Sequence, residues 1–139
     1  VLGTPAAQGS HKAFIMGGKA RITAANNAQL QSWRGEVATA AIVAHDSNEP
    51  LDGPLELVCE FRFPMPTSRP KRVRDRGRAW RASKPDLDKL VRSVGDALTI
   101  AGVIADDARI VSVIARKTEV HGTAAGADIS IHQLEEMTS

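Results

Sequence analysis

An α+β (mixed α/β) domain, a small sheet packed with two main helices, is expected on three grounds. Leu55 to Phe63 alternates, with Leu55, Leu57, Cys59, Phe61 and Phe63 on one side and Glu56, Glu60 and Arg62 on the other. A period of two is that of a half-buried strand. Leu87 to Leu98 repeats at helical spacing instead: Leu87, Leu90, Val91, Val94, Ala97 and Leu98 fall on one half of the wheel,. The 139 residues, 42% of them hydrophobic, suit one core and show no internal repeat,.

Val1 to Ser10 has neither period and is expected to be loose, so residues 1–11 are read as a flexible segment and 12–135 as the domain,. Ala13 to Met16 is a short apolar strand. Gly18-Lys19 is not a Walker loop, because Ala13 replaces the upstream glycine and Ala20 the hydroxyl residue,. Asn26 or Asn27 is expected to cap a helix running to about Ala44, with Leu30, Trp33, Val37, Ala41 and Ala44 on its inner face and Trp33 as the core anchor,. Asp46 to Pro54 carries turn chemistry,. The long strand ends at Pro64-Met65-Pro66, and a basic loop follows over residues 64–85. Ala101-Gly102 closes the second helix. Ile110 to Val120 and Ala127 to Leu134 read as strands separated by a Gly122 to Gly126 turn, before a polar tail,.

The formal charge is only +2, yet Arg69, Lys71, Arg72, Arg74, Arg76, Arg78, Arg81 and Lys84 crowd into the basic loop with Asp75 as their only acid. A loop of this length without an apolar period is functional or disordered, and its like charges oppose packing. A polyanionic partner is the natural inference. No apolar run is long enough to cross a bilayer and no leader opens the chain, so a soluble, cytoplasmic protein with no membrane partner is expected,. The single cysteine, Cys59, excludes a disulfide framework and a Cys-rich zinc site; it alternates with Leu57 and Phe61 as a core residue,. His11, His45, His121 and His132 show no metal spacing, and no nucleophile elbow is present,.

The informative acids are Asp86, Asp88 and the pair Asp106-Asp107. Within a regular helix, acids at i and i+2 point about 200° apart and cannot share a metal. They converge only if Asp86 lies at or before the helix start and Asp88 in its first turn. A plain helix cap beside a first-turn acid explains the same residues. Asp106-Asp107 precedes the strand at Ile110 and reads either as a third carboxylate or as a turn pair. Oxygen ligands of this kind suit Mg²⁺ or Mn²⁺.

Lys84-Pro85-Asp86-Leu87-Asp88, then Arg92, Asp96-Ala97-Leu98, Gly102-Val103-Ile104-Ala105-Asp106-Asp107, Ile110 and Lys117 resembles the RusA family of crossover-junction endodeoxyribonucleases. The resemblance implies a single RusA-like domain acting as a homodimer, which cuts four-way (Holliday) DNA junctions by paired, Mg²⁺-dependent phosphodiester hydrolysis. It carries catalytic, metal-binding roles onto Asp86, Asp88 and Asp107, with Mn²⁺ as a substitute ion, and implies a setting in a bacterial cell or a phage-infected host. Two positions depart from the pattern. Lys89 stands where the family has Asn, and Arg92 where it has a functional Lys. Arg92 lies about 40° from Asp88 on the wheel and stabilises phosphate charge, but it cannot readily release a proton; a simple Asp88–Arg92 ion pair is the bland alternative. Gly17-Gly18-Lys19 stands in place of the family's proline-rich start. DNA backbone contacts are expected from the loop cations with Lys89 and Lys117, and Trp80 either stacks on an exposed base or packs on the domain. Two rival functions fit the same residues: a non-catalytic junction-binding module of this fold, and a Mg²⁺ nuclease for flaps or forks.

Overall fold

The computed structural model describes residues 1–7, 14–16, 19–21 and 24–137. Strands β1 (Phe14–Met16) and β2 (Lys19–Arg21) form a small antiparallel pair. Helix α1 (Ala24–His45) follows. It starts ahead of Asn26 and Asn27, because Ala24 and Ala25, strong helix formers, extend it backwards. Its inner face is the expected one: Trp33 and Val37 are buried, and Leu30 and Ala41 pack against them, although Ala44 is exposed. Ala13, Gly17-Gly18, His11 and the end of the expected loose segment lie outside the described residues.

Strand β3 (Leu55–Pro64) buries Leu55, Leu57, Cys59, Phe61 and Phe63 and turns the intervening residues outward. After α2 (Lys71–Arg76), β4 (Arg78–Trp80) and α3 (Leu87–Ile100) come β5 (Ile110–Val120) and β6 (Gly126–Gln133). The sheet order is β4-β5-β3-β6. β3 is therefore central, parallel to β5 and antiparallel to β6. Leu90, Val94, Ala97 and Leu98 of α3 close over its inner face with Trp33 and Val37 of α1. Each such side chain contributes about 2 kcal/mol by leaving water. Gly102, at φ 73°, ends α3, with Val103 N–H donating to Leu98 O at 3.0 Å. Burial pushes the Cys59 thiol up to about 12, as befits a core side chain with no nucleophilic role.

Three expectations are corrected. Residues 1–7 are not loose: Leu2 bridges Gly126, Gly3 N–H donates to Ala125 O at 3.1 Å, and Ala6 is buried. Ser93 and Gly95, on the other half of the α3 wheel, are buried too: the opening segment covers Ser93, whose Oγ donates to Ala6 O at 3.0 Å, and the turn at Asp107 lies against Gly95. The basic loop is not structureless. Pro70 opens α2, Gly77 ends it in the left-handed conformation at φ 76°, and Arg78–Trp80 pairs with Val120–Thr118 of β5. The counter-charge that permits this packing comes from outside the segment. Glu119 of β5, with a fully buried side chain, accepts from Arg69 Nε at 2.8 Å and from Arg81 Nη1 at 3.2 Å. Arg81 also lies 4.6 Å from the centre of the Phe63 ring,.

Candidate active site

Asp86 stands at the N-cap of α3 with extended backbone (φ −68°, ψ 137°), and its side chain makes no capping hydrogen bond. The helix is closed by the main chain instead, Leu90 N–H donating to Asp86 O at 3.1 Å. The exposed Asp86 carboxylate thus remains available beside Asp88, which is exposed in the first turn. This extended-to-helical step is the geometry in which acids at i and i+2 share a side. Lys89 Nζ approaches Asp86 Oδ2 at 3.6 Å. Arg92 is exposed one turn on, and no ion pair joins it to Asp88 among the described residues.

The stretch leading to Asp86 is tied to β5. Lys117 Nζ donates to Ser83 O at 2.7 Å and to Pro85 O at 2.8 Å, while Arg81 Nε donates to Lys84 O at 2.9 Å.

Asp107 opens a 3-10 turn (Asp107–Arg109) whose N-cap, Asp106, accepts from Ala108 N–H at 3.0 Å. A methyl group placed on Gly95 of α3 would lie 3.7 Å from Asp107 Cβ and 3.9 Å from Ile110 Cδ1. The turn therefore rests on the helix where a side chain is missing. A hydrogen bond with Asp106, then lost hydration and the negative charges of Asp106 and Asp96, raise the Asp107 carboxyl above its ordinary value. Asp106 moves the other way, held down first by the Ala108 N–H and then by Asp107. Within the pair, Asp107 is therefore the readier to take up a proton and Asp106 the less ready. Asp96 also receives Arg34 of α1, at 3.2 Å.

Gly95 lies two helical turns beyond Asp88, about 10 Å along the axis at roughly 1.5 Å per residue. Within one chain the three carboxylates Asp86, Asp88 and Asp107 are not gathered around one point. Among the described residues, no three His, Cys, Asp or Glu side chains lie close enough to hold a metal. Asp86 and Asp88 occupy one end of α3; Asp96, Asp106 and Asp107 surround the other.

The cations divide into two groups. Lys71, Arg72 and Arg76 of α2 are exposed, as are Arg78 and Trp80 of β4, with Trp80 69% exposed. Arg76, Arg78, Trp80 and Arg116 line a groove on the sheet. Arg78 and Arg116 share Glu60 there, Arg116 Nη2 at 3.9 Å. Arg69, Arg81 and Lys117 turn instead to Glu119 and to loop carbonyls. Arg74 is half-buried and Lys84 exposed. Glu119, Arg34 and Gly95 are the site-shaping residues that sequence reasoning passed over. The one available signal was Glu119, an acid that falls at a period of two from Val111, Val113 and Ala115 of β5. A separate pocket of about 480 Å³, lined by Val37, Ala41, Leu98 and Ile129 with His45 and Asp128 among others, contains none of the three carboxylates.

No helix among the described residues is long and apolar enough to cross a membrane. A family model described as Endodeoxyribonuclease RusA matches residues 3–132. No curated protein matches the chain.

Proposed function

Because the chain belongs to the RusA endodeoxyribonuclease family, we propose that it resolves four-way DNA junctions by paired phosphodiester hydrolysis, with Asp86, Asp88 and Asp107 as ligands for Mg²⁺. The observation that carries this reading is the Asp86 corner: an extended N-cap whose carboxylate caps nothing, beside a first-turn acid. Two exposed carboxylates on one side fit the hard-oxygen preference of Mg²⁺ or Mn²⁺. Such an ion, when bound, supplies Lewis-acid stabilisation of the phosphate and a more acidic water.

The separation of Asp107 from that corner is resolved by a second copy. β4 covers β5 only at Thr118–Val120. Ile110 to Lys117 is left with no strand on that side among the described residues. Val111, Val113 and Ile114 are 63%, 46% and 58% exposed along it. A long apolar edge of this kind pairs readily with another chain. Antiparallel pairing about Val113–Ile114 across a two-fold axis sets Ile110 against Lys117 of the partner subunit. Asp107 then comes beside the other subunit's corner, and each of the two sites draws carboxylates from both chains. Two such sites match the two symmetric cuts that a four-way junction requires.

Arg92 faces the phosphate as a fixed positive charge. The exposed cations of α2 hold the backbone without reading bases, and the exposed face of Trp80 offers stacking to an unpaired base. The test is cleavage of four-way, forked and duplex DNA with and without Mg²⁺. Junction cleavage that needs Mg²⁺ supports the reading. Fork cleavage alone favours a flap or fork nuclease, and junction binding without turnover favours a non-catalytic module.

A further inference from the structure

Three consecutive carbonyl oxygens precede Asp86, those of Ser83, Lys84 and Pro85, and each accepts a hydrogen bond from a cationic side chain. Lys117 Nζ serves the first and third at 2.7 and 2.8 Å, and Arg81 Nε the second at 2.9 Å. Arg81 is itself fixed twice over. Its Nη1 donates to the buried Glu119 at 3.2 Å, and its backbone N–H donates to Lys117 O at 3.2 Å. Lys117 and Glu119 sit two apart on β5, opposite Phe61 and Phe63 of β3, so both point to the inner face. Both partners on β3, Phe61 and Phe63, are buried.

We propose that Lys117 and Glu119 are positioning residues for the Asp86 corner, which they hold through the main chain of residues 83–85. The inference rests on the metal-carboxylate reading above. It also reassigns Lys117, expected from sequence to contact DNA. An ammonium group with two carbonyl oxygens within 2.8 Å has its donors directed at the protein. Pro85 is half-buried, but Ser83 and Lys84 ahead of it are exposed and bury no side chain of their own. The charged anchors hold the turn in place, and they set where the Asp86 carboxylate stands relative to Asp88. Lysine suits this role because one compact head with three donors can serve two carbonyls that face it from adjacent positions.

The test uses the full chain and the variants Lys117→Met, Lys117→Arg and Glu119→Gln. Three quantities are measured: single-turnover cleavage of a four-way junction in Mg²⁺ at saturating protein, junction Kd by mobility shift without Mg²⁺, and hydrogen exchange of the backbone amides of residues 83–88 in the absence of DNA. Lys117→Met is expected to lower the saturated rate by about 100-fold, the scale of a 1 Å misplacement. Junction Kd is expected to stay within about threefold, the loss of rate without loss of binding that marks a positioning role. Exchange over residues 83–88 should quicken. Lys117→Arg, which keeps charge and donors, should recover most of the rate. Glu119→Gln should act in the same direction as Lys117→Met but less strongly, and it serves where Lys117→Met fails to fold. A raised Kd with an unchanged saturated rate would make Lys117 a DNA contact and overturn the proposal, as would unaltered exchange. If the unmodified chain cuts no branched DNA, the nuclease reading fails by itself; the exchange measurement still decides whether the clamp holds the corner.

Discussion

Asp107 rests on Gly95: a Cβ built on the glycine lies 3.7 Å from Asp107 Cβ. This contact fixes where the turn before β5 meets α3. It also places Asp107 two helical turns from Asp88, so the arrangement of the carboxylates follows from it.

Gly95→Ala should be accommodated, because 3.7 Å is an ordinary van der Waals separation. Alanine favours a helix interior over glycine by about 0.5–1 kcal/mol. The variant should unfold at a higher urea midpoint. A loss of more than about 1 kcal/mol would mean that the turn sits closer to the helix than described.

Asp107 carries its carboxyl above the ordinary value through the hydrogen bond with Asp106 and the neighbouring negative charges. A folded state that binds this proton more readily than the unfolded chain is burdened at neutral pH and relieved as pH falls through the raised value. Asp107→Asn removes the burden while abolishing cleavage. Its melting temperature should exceed that of the unmodified protein at pH 7, and the gap should shrink as the pH is lowered below the carboxylate range. A gap that widens on acidification would contradict this sign.

Glu119→Ala leaves Arg69 and Arg81 facing each other without their shared acid. Removing one partner of a buried ion pair costs about 3–5 kcal/mol. Both arginines keep partial access to water, at 39% and 20% side-chain exposure, so about 2–3 kcal/mol is expected here by the same reasoning. Equilibrium unfolding in urea measures it.

Val113→Lys places a charge on the free edge of β5, where a paired dimer would bury it. The variant is expected to stay folded, sediment as a monomer and lose junction cleavage. Mixing two inactive chains probes the same interface. Asp88→Asn and Asp107→Asn, combined, should regain cleavage, because one site in each mixed dimer keeps both intact contributions. A mixture as inactive as its components would place the carboxylates within single chains.

Strand β3 and helix α3 are legible in sequence because their periods, two and 3.6, are imposed by burial on one face only. The Asp86 corner is legible as well, since Pro85 ahead of an amphipathic helix marks where extended backbone must give way. The α2–β4 unit is not. Its only local cues, Pro70 and Gly77, are outweighed by a charge density that suggests solvation, and the acid that neutralises it lies distant in sequence on β5. The burial of Ser93 is hidden for a similar reason, because Ala6 covers it from the far end of the chain. The position of Asp107 follows from its packing against α3 at Gly95, a contact between elements that no single-segment pattern encodes.

The most direct test of the carboxylate account is Mg²⁺-dependent cleavage of a four-way junction by Asp88→Asn, set beside its junction affinity. The account predicts no cleavage and an affinity close to that of the unmodified protein. Full cleavage by that variant would contradict it.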